Sequence, residues 1–149
     1  MANTGDFIPA FQFIASEVNK LTSIRDYIDN ETAIKVLYRM YFNVYDVFLV
    51  IAEQEENKGY ADTLLLPFHA KYKTIKYAYL IEFKYIKREI QDKKLASLKR
   101  KLIKEAQAKL QQYEQDETLL KTIGAPPYGM VTLKKIVIVF HGWEMIYIK

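Results

Sequence analysis

The chain has 149 residues, a formal net charge of +4 and an apolar half, the size and composition of one globular domain with a real core. It has no cysteine and two histidines, His69 and His141, which excludes disulfides and thiolate metal sites and argues against a histidine-built zinc site. No apolar run approaches the roughly 20 residues of a membrane helix, and the first residues lack the basic and apolar regions of a signal peptide, so a cytoplasmic protein without a membrane partner is expected.

Ile8, Phe11, Ile14 or Ala15, Val18 and Leu21 recur at helical spacing and predict an amphipathic first helix. After a polar break, Asp29 or Asn30 can cap a second helix whose buried stripe is Ile34, Leu37, Tyr38, Tyr41 and Phe42. From Val44 to Ala52 the composition turns to valine, isoleucine and aromatics, which favours a strand. Glu56 to Gly59 reads as a turn, and Tyr60 to Leu66, closed by Pro67, as the second arm of a hairpin. Phe68 to Lys76 reads as a loop and Tyr77 to Ile86 as a third strand.

A long helix follows, with Leu95, Leu98, Leu102, Ala106, Leu110 and Tyr113 on one face and lysines and glutamines on the other. Gly124, Pro126, Pro127 and Gly129 predict a loop. Ile136 to Phe140 is a continuous apolar run, the mark of a strand covered on both faces. Gly142 predicts a turn into a last strand, Trp143 to Ile148. The order α-α-β-β-β-α-β-β points to one α/β domain over residues 1–149 with a central mixed sheet flanked by helices, residues 1–24 forming a helical extension.

The third strand carries the chemistry. Tyr77, Tyr79, Ile81, Phe83 and Tyr85 alternate with Ala78, Leu80, Glu82, Lys84 and Ile86, so both faces are mainly apolar and the strand is central. Glu82 and Lys84 share one face, and ionised groups in a covered strand are costly unless paired or bound to a metal. A plain ion pair at a strand end is one reading. Asp62 adds a second carboxylate on the preceding strand, on the face of Leu64 and Leu66. If the two strands pair, Asp62 and Glu82 can share a cation. Such a site suits Mg²⁺ (or Mn²⁺), with the backbone carbonyl of Phe83 as a further oxygen ligand, and leaves Lys84 to hold the attacking water or balance phosphate charge.

Lys87, Arg88, Lys93, Lys94, Lys99, Arg100, Lys101 and Lys104 lie within one stretch. It is either a phosphate-facing surface or a solvated helix face. Tyr72, Tyr77, Tyr79 and Tyr85 can stack on bases, though at strand spacing core or sheet packing is the better reading.

Three segments together carry a resemblance: Glu53 to Asp62 with Leu64 to Pro67, Tyr79 to Ile86, and Leu133 to Glu144. They resemble the PD-(D/E)XK nuclease-like domain at the C-terminus of AAA-ATPase-like proteins of bacteria, many from Bacteroidetes, from about Arg25 to near the end. The resemblance implies a restriction-endonuclease-like core that hydrolyses phosphodiester bonds in DNA, or RNA. It implies metal-ligand roles for Asp62 and Glu82, with Glu53 as an additional acid, a catalytic role for Lys84, and an AAA-type ATPase domain as partner. The alternative is a degenerate nuclease fold that binds nucleic acid or protein without cutting; a homodimer is compatible with either. Two features depart from the family. Lys109 precedes Leu110 where a glutamine is common, with Gln107, Gln111 and Gln112 nearby, and the chain carries no GxxxxGK[ST] phosphate loop. The expectation is therefore a fragment of a larger ATPase-containing protein or a stand-alone remnant of one.

Overall fold

The computed structural model describes residues 1–21, 30–52, 61–113, 115–129 and 131–149. Two helices come first, α1 (Ile8–Lys20) and α2 (Glu31–Val44), followed by the strands β1 (Phe48–Ala52), β2 (Thr63–Pro67) and β3 (Tyr77–Ile86). The helices α3 (Asp92–Tyr113) and α4 (Glu117–Gly124) lead to the closing strands β4 (Thr132–His141) and β5 (Glu144–Ile148). The five strands form one sheet in the order β1-β2-β3-β4-β5. Only β3 and β4 run parallel, in register from Tyr77 opposite Thr132 to Ile86 opposite His141; the other neighbours are antiparallel. A parallel pair needs a long crossover, and α3 with α4 supplies it. The fold is thus the mixed, helix-flanked α/β sheet that the element order predicts, with β3 at its centre.

Each face of the sheet has its own core. Phe11, Ile14 and Val18 of α1 and Ile34, Tyr38 and Phe42 of α2 pack with Tyr79, Ile81, Phe83, Ile136, Ile138 and Phe140. The first helix is therefore part of the core, and the residues before it are tied to the sheet: the Tyr79 hydroxyl donates to the Met1 carbonyl at 2.8 Å, and Lys134 Nζ donates to the Gly5 carbonyl at 2.9 Å. On the other face Ala106 and Leu110 of α3 and Leu119 of α4 cover Leu64, Leu66, Ala78, Leu80, Val137 and Val139. The alternation along β3 and β4 divides their side chains between the two cores, as period-two spacing requires.

Several boundaries differ from the sequence reading, β4 starting at Thr132 and β5 at Glu144 among them. The second helix runs to Val44, so β1 starts at Phe48 rather than Val44; Asp46 turns the chain between them at φ +51°, a conformation that aspartate tolerates better than most residues. The second strand starts at Thr63, one residue after Asp62. The helix α4 occupies part of the stretch between α3 and the glycine-proline loop, capped by the Asp116 carboxylate on the Leu119 N–H at 2.9 Å. Asn30 caps α2 on the Ala33 N–H at 2.9 Å. Asp29, Glu53, the turn Glu56 to Gly59 and Tyr60 lie outside the described residues.

At the last turn Gly142 takes φ +58°, and a Cβ there would lie 2.6 Å from Arg88 Cγ. The Arg88 guanidinium in turn lies 3.6 Å from the centroid of the Trp143 ring. His141 Nε2 lies 3.2 Å from the Arg88 carbonyl, and the two ring nitrogens of His69 each lie 3.0 Å from a carbonyl, of Pro127 and of Ile75. Both histidines thus tie loops together. Tyr79 is fully buried in the core, so its ring serves packing rather than base stacking.

Candidate metal and phosphodiester site

The β2–β3 ladder pairs Thr63 with Ile81 and stops there. One residue further, the chain of β2 parts from β3, and side chains replace the backbone rungs. The Asp62 carboxylate accepts the Phe83 N–H through Oδ2 at 2.7 Å, and the Asp62 N–H faces Glu82 Oε2 at 3.4 Å. Asp62 is 1% exposed and Glu82 fully buried. The fold therefore places two buried carboxylates side by side where one edge of the central strand comes open.

Cations from three elements meet them. Lys35 of α2 donates to Asp62 Oδ1 at 2.6 Å and also pairs with Glu31 at 2.7 Å. Lys84, two residues along β3, donates to Glu82 Oε1 at 2.9 Å. Lys109 of α3 lies 3.0 Å from Glu82 Oε1 and 3.9 Å from Asp62 Oδ1. Arg39 braces the backbone at the same point: Nε donates to Thr63 Oγ1 at 2.9 Å, and an outer nitrogen donates to the Asp62 carbonyl. Burial lowers the pKa of the Lys35 and Lys109 ammonium groups, but their bonds to Asp62 and Glu82 outweigh it and hold both above the ordinary lysine value. Both are charged throughout the neutral range.

Asp62, Glu82 and Lys84 therefore converge. Phe83 joins them through its N–H. Glu53 lies outside the described residues, and among those described no group of three or more acidic, histidine or cysteine side chains gathers. Lys35 and Arg39 escaped the sequence reading, because nothing in helical spacing tells which exposed-looking positions of α2 will reach the start of β2. Lys109 stood out only as a departure from a glutamine, and the structure brings that position into the site.

The basic run divides. Lys93, Lys94, Arg100, Lys101 and Lys104 are exposed, and Lys93, Arg100, Lys101 and Lys104 line one shallow depression with Ala96 and Ser97. Lys99 is apart from them, half-buried, donating to the Ile146 carbonyl at 2.7 Å. On a 3.6-residue helix the exposed stripe lies roughly opposite Ala106 and Leu110, which face the sheet. It thus points away from Asp62 and Glu82.

No curated protein and no solved structure matches the chain. A family model for the PD-(D/E)XK nuclease superfamily matches residues 29–149, from just before α2 to the last residue. With the acidic pair and its lysine at the open end of a central strand, the chain belongs to the PD-(D/E)XK nuclease superfamily.

Proposed function

We propose that the protein is a Mg²⁺- or Mn²⁺-dependent nuclease that hydrolyses phosphodiester bonds in DNA, or RNA, with Asp62 and Glu82 as metal ligands and Lys84 as catalytic residue. The observation that carries this reading is the pair of buried carboxylates, Asp62 and Glu82, sharing one face with Lys84 where the β2–β3 ladder ends. Nucleases of this superfamily generally use divalent metal ions. The donor set fits a hard cation: two carboxylates and a backbone carbonyl are all oxygen ligands, and Mg²⁺ is commonly held by one or two carboxylates with water and substrate phosphate completing its shell.

When bound, the cation supplies a lowered water pKa and neutralises charge on the phosphate. The chain's own residues do the rest. Asp62 is oriented by the Phe83 N–H, and Glu82 by Lys84 and the Asp62 N–H. Lys84, 19% exposed, reaches the open side of the pair, where it orients the attacking water and offsets growing negative charge. The water oxygen bonds to phosphorus, the bond to the leaving sugar oxygen breaks, and a proton ends on that oxygen.

A second reading, a nuclease-fold module that binds without cutting, has one observation behind it: every oxygen of the two carboxylates already faces a donor of the chain, Lys109 among them. Residues 1–149 are read as one domain, since α1 packs into the core of the sheet. Action in the cytoplasm beside an AAA-type ATPase belongs to the same proposal, supported by the cysteine-free sequence and the three resembling segments; among the described residues no helix is long and apolar enough to cross a membrane.

The test is an assay on linear duplex, single-stranded DNA and RNA with Mg²⁺ or Mn²⁺. Cleavage by the wild type that Asp62→Asn and Lys84→Ala both lose supports the nuclease. Cleavage unchanged by either substitution, or none on any substrate, supports the binding module.

A further inference from the structure

The four carboxylate oxygens of the site fall into two kinds. Asp62 Oδ2 and Glu82 Oε2 face backbone N–H groups, at 2.7 and 3.4 Å, which the sheet fixes in place. Among the described residues, the groups that Asp62 Oδ1 and Glu82 Oε1 face are ammonium groups. Oδ1 and Oε1 are therefore the oxygens through which the two carboxylates would hold a divalent cation most readily, in competition with lysine.

Among the described residues Lys109 is the lysine that contacts both of these oxygens, at 3.9 and 3.0 Å; Lys35 reaches only Asp62 and Lys84 only Glu82. Lys109 is also the most exposed of the three, at 32% against 18% and 19%. Lys35 is further tied to Glu31. Lys109 extends from the surface helix near its C-terminal end, and the Tyr113 ring, 5.6 Å from its ammonium, gives a departing charge a second resting place.

From this geometry we infer that Lys109 is a displaceable counter-ion: its ammonium occupies the seat between Asp62 and Glu82 in the metal-free protein and must swing out to admit the divalent cation. The inference rests on the metal role proposed for Asp62 and Glu82. It has a consequence for substrate. A nucleic-acid phosphate at the open end of β3 gives the displaced ammonium a new partner, so metal and nucleic acid bind with positive coupling, each tightening the other by the same factor. Lys109 then acts as a positioning residue that delays metal loading until a phosphate is present.

The experiment is titration of the full chain with Mn²⁺ alone, read by electron paramagnetic resonance and calorimetry. Wild type, Lys109→Met, Lys109→Gln, Asp62→Asn and the distant control Lys121→Met are compared, each checked by circular dichroism. Removing one positive charge about 4 Å from the incoming cation should tighten Mn²⁺ binding about tenfold or more in Lys109→Met, and in Lys109→Gln. Lys121→Met should bind as the wild type does. In chelator the Lys109 variants should melt lower than wild type, a loss that Mn²⁺ reverses. If Lys109→Met does not fold, Lys109→Gln decides. Equal or weaker Mn²⁺ binding by a folded Lys109 variant, with Asp62→Asn binding none, overturns the counter-ion role and leaves the metal site standing. Asp62→Asn binding as tightly as wild type, or no Mn²⁺ binding by any variant, overturns both.

Discussion

The carboxylate of Asp62 accepts the N–H of Phe83 at 2.7 Å, in the place where the next rung between β2 and β3 would fall. Thr63 pairs with Ile81, so continued pairing would set Ala61 opposite Phe83. Asp62 instead closes the gap with its side chain, and the same bond that ends the ladder aims a carboxylate at Glu82. Fold and site are thus coupled at one residue.

That coupling separates two substitutions at position 62. Asp62→Asn keeps an acceptor for the Phe83 N–H and loses the charge. Asp62→Ala removes both, leaving a buried N–H unpaired at about 1–3 kcal/mol. Thermal melts in chelator should therefore rank wild type above Asn and Asn above Ala. Both variants should lose Mn²⁺ binding. An alanine variant that melts with the asparagine variant would mean that the Phe83 bond contributes nothing.

Lys35 should matter for stability before it matters for rate. Its loss leaves the buried Asp62 with Lys109 as a more distant cation, at 3.9 Å. Removing one partner of a buried ion pair typically costs about 3–5 kcal/mol, and the remaining lysine puts Lys35→Met at the low end. Denaturant unfolding in chelator measures this. A divalent cation supplies the missing charge, so Mn²⁺ should restore more stability to Lys35→Met than to wild type.

Lys84 should act on rate. An interaction made mainly in the transition state changes turnover more than binding, and losing one preorganised charged donor costs roughly a hundred- to a thousandfold. Lys84→Ala should keep nucleic-acid affinity near wild type and bind Mn²⁺ at least as tightly, since Lys84 too pairs with Glu82 Oε1, while single-turnover cleavage falls by that factor. A variant that loses affinity and rate together would make Lys84 a binding group.

Nucleic-acid affinity should fall steeply with salt, as bound phosphates release counterions at a slope near 0.9 per contact on duplex DNA. If the exposed stripe of α3 contributes, reversing the charge of Lys93, Arg100 and Lys104 lowers that slope. Lys99→Ala should instead lower the melting temperature and leave the slope unchanged, since its ammonium is engaged by the Ile146 carbonyl. A slope unmoved by the triple reversal would assign phosphate contact to the cations around Asp62 and Glu82.

Much of this was legible in the sequence because it depends on local spacing. The alternation of Tyr77 to Ile86 marks a central strand, and Glu82 and Lys84 stand out in it as charges where burial forbids unpaired ones. Asp62 stands out for the same reason. What spacing does not carry is the approach of distant elements. Lys35 and Arg39 look like solvated positions of α2 until the start of β2 is placed against them. The stripe of α3 reads as one basic patch until the helix is docked, and docking turns Lys99 away from it. The end of α2 at Val44 was hidden because valine and aromatics serve a helix packed on a sheet as well as they serve a strand.

The central claim, a divalent cation held by Asp62 and Glu82, is tested most directly by anomalous diffraction from crystals grown with Mn²⁺. The account predicts a peak bonded to Asp62 Oδ1 and Glu82 Oε1, with the Lys109 ammonium withdrawn and no peak in Asp62→Asn crystals. A site that stays without a peak at saturating Mn²⁺, with Lys109 still on Glu82, would contradict it.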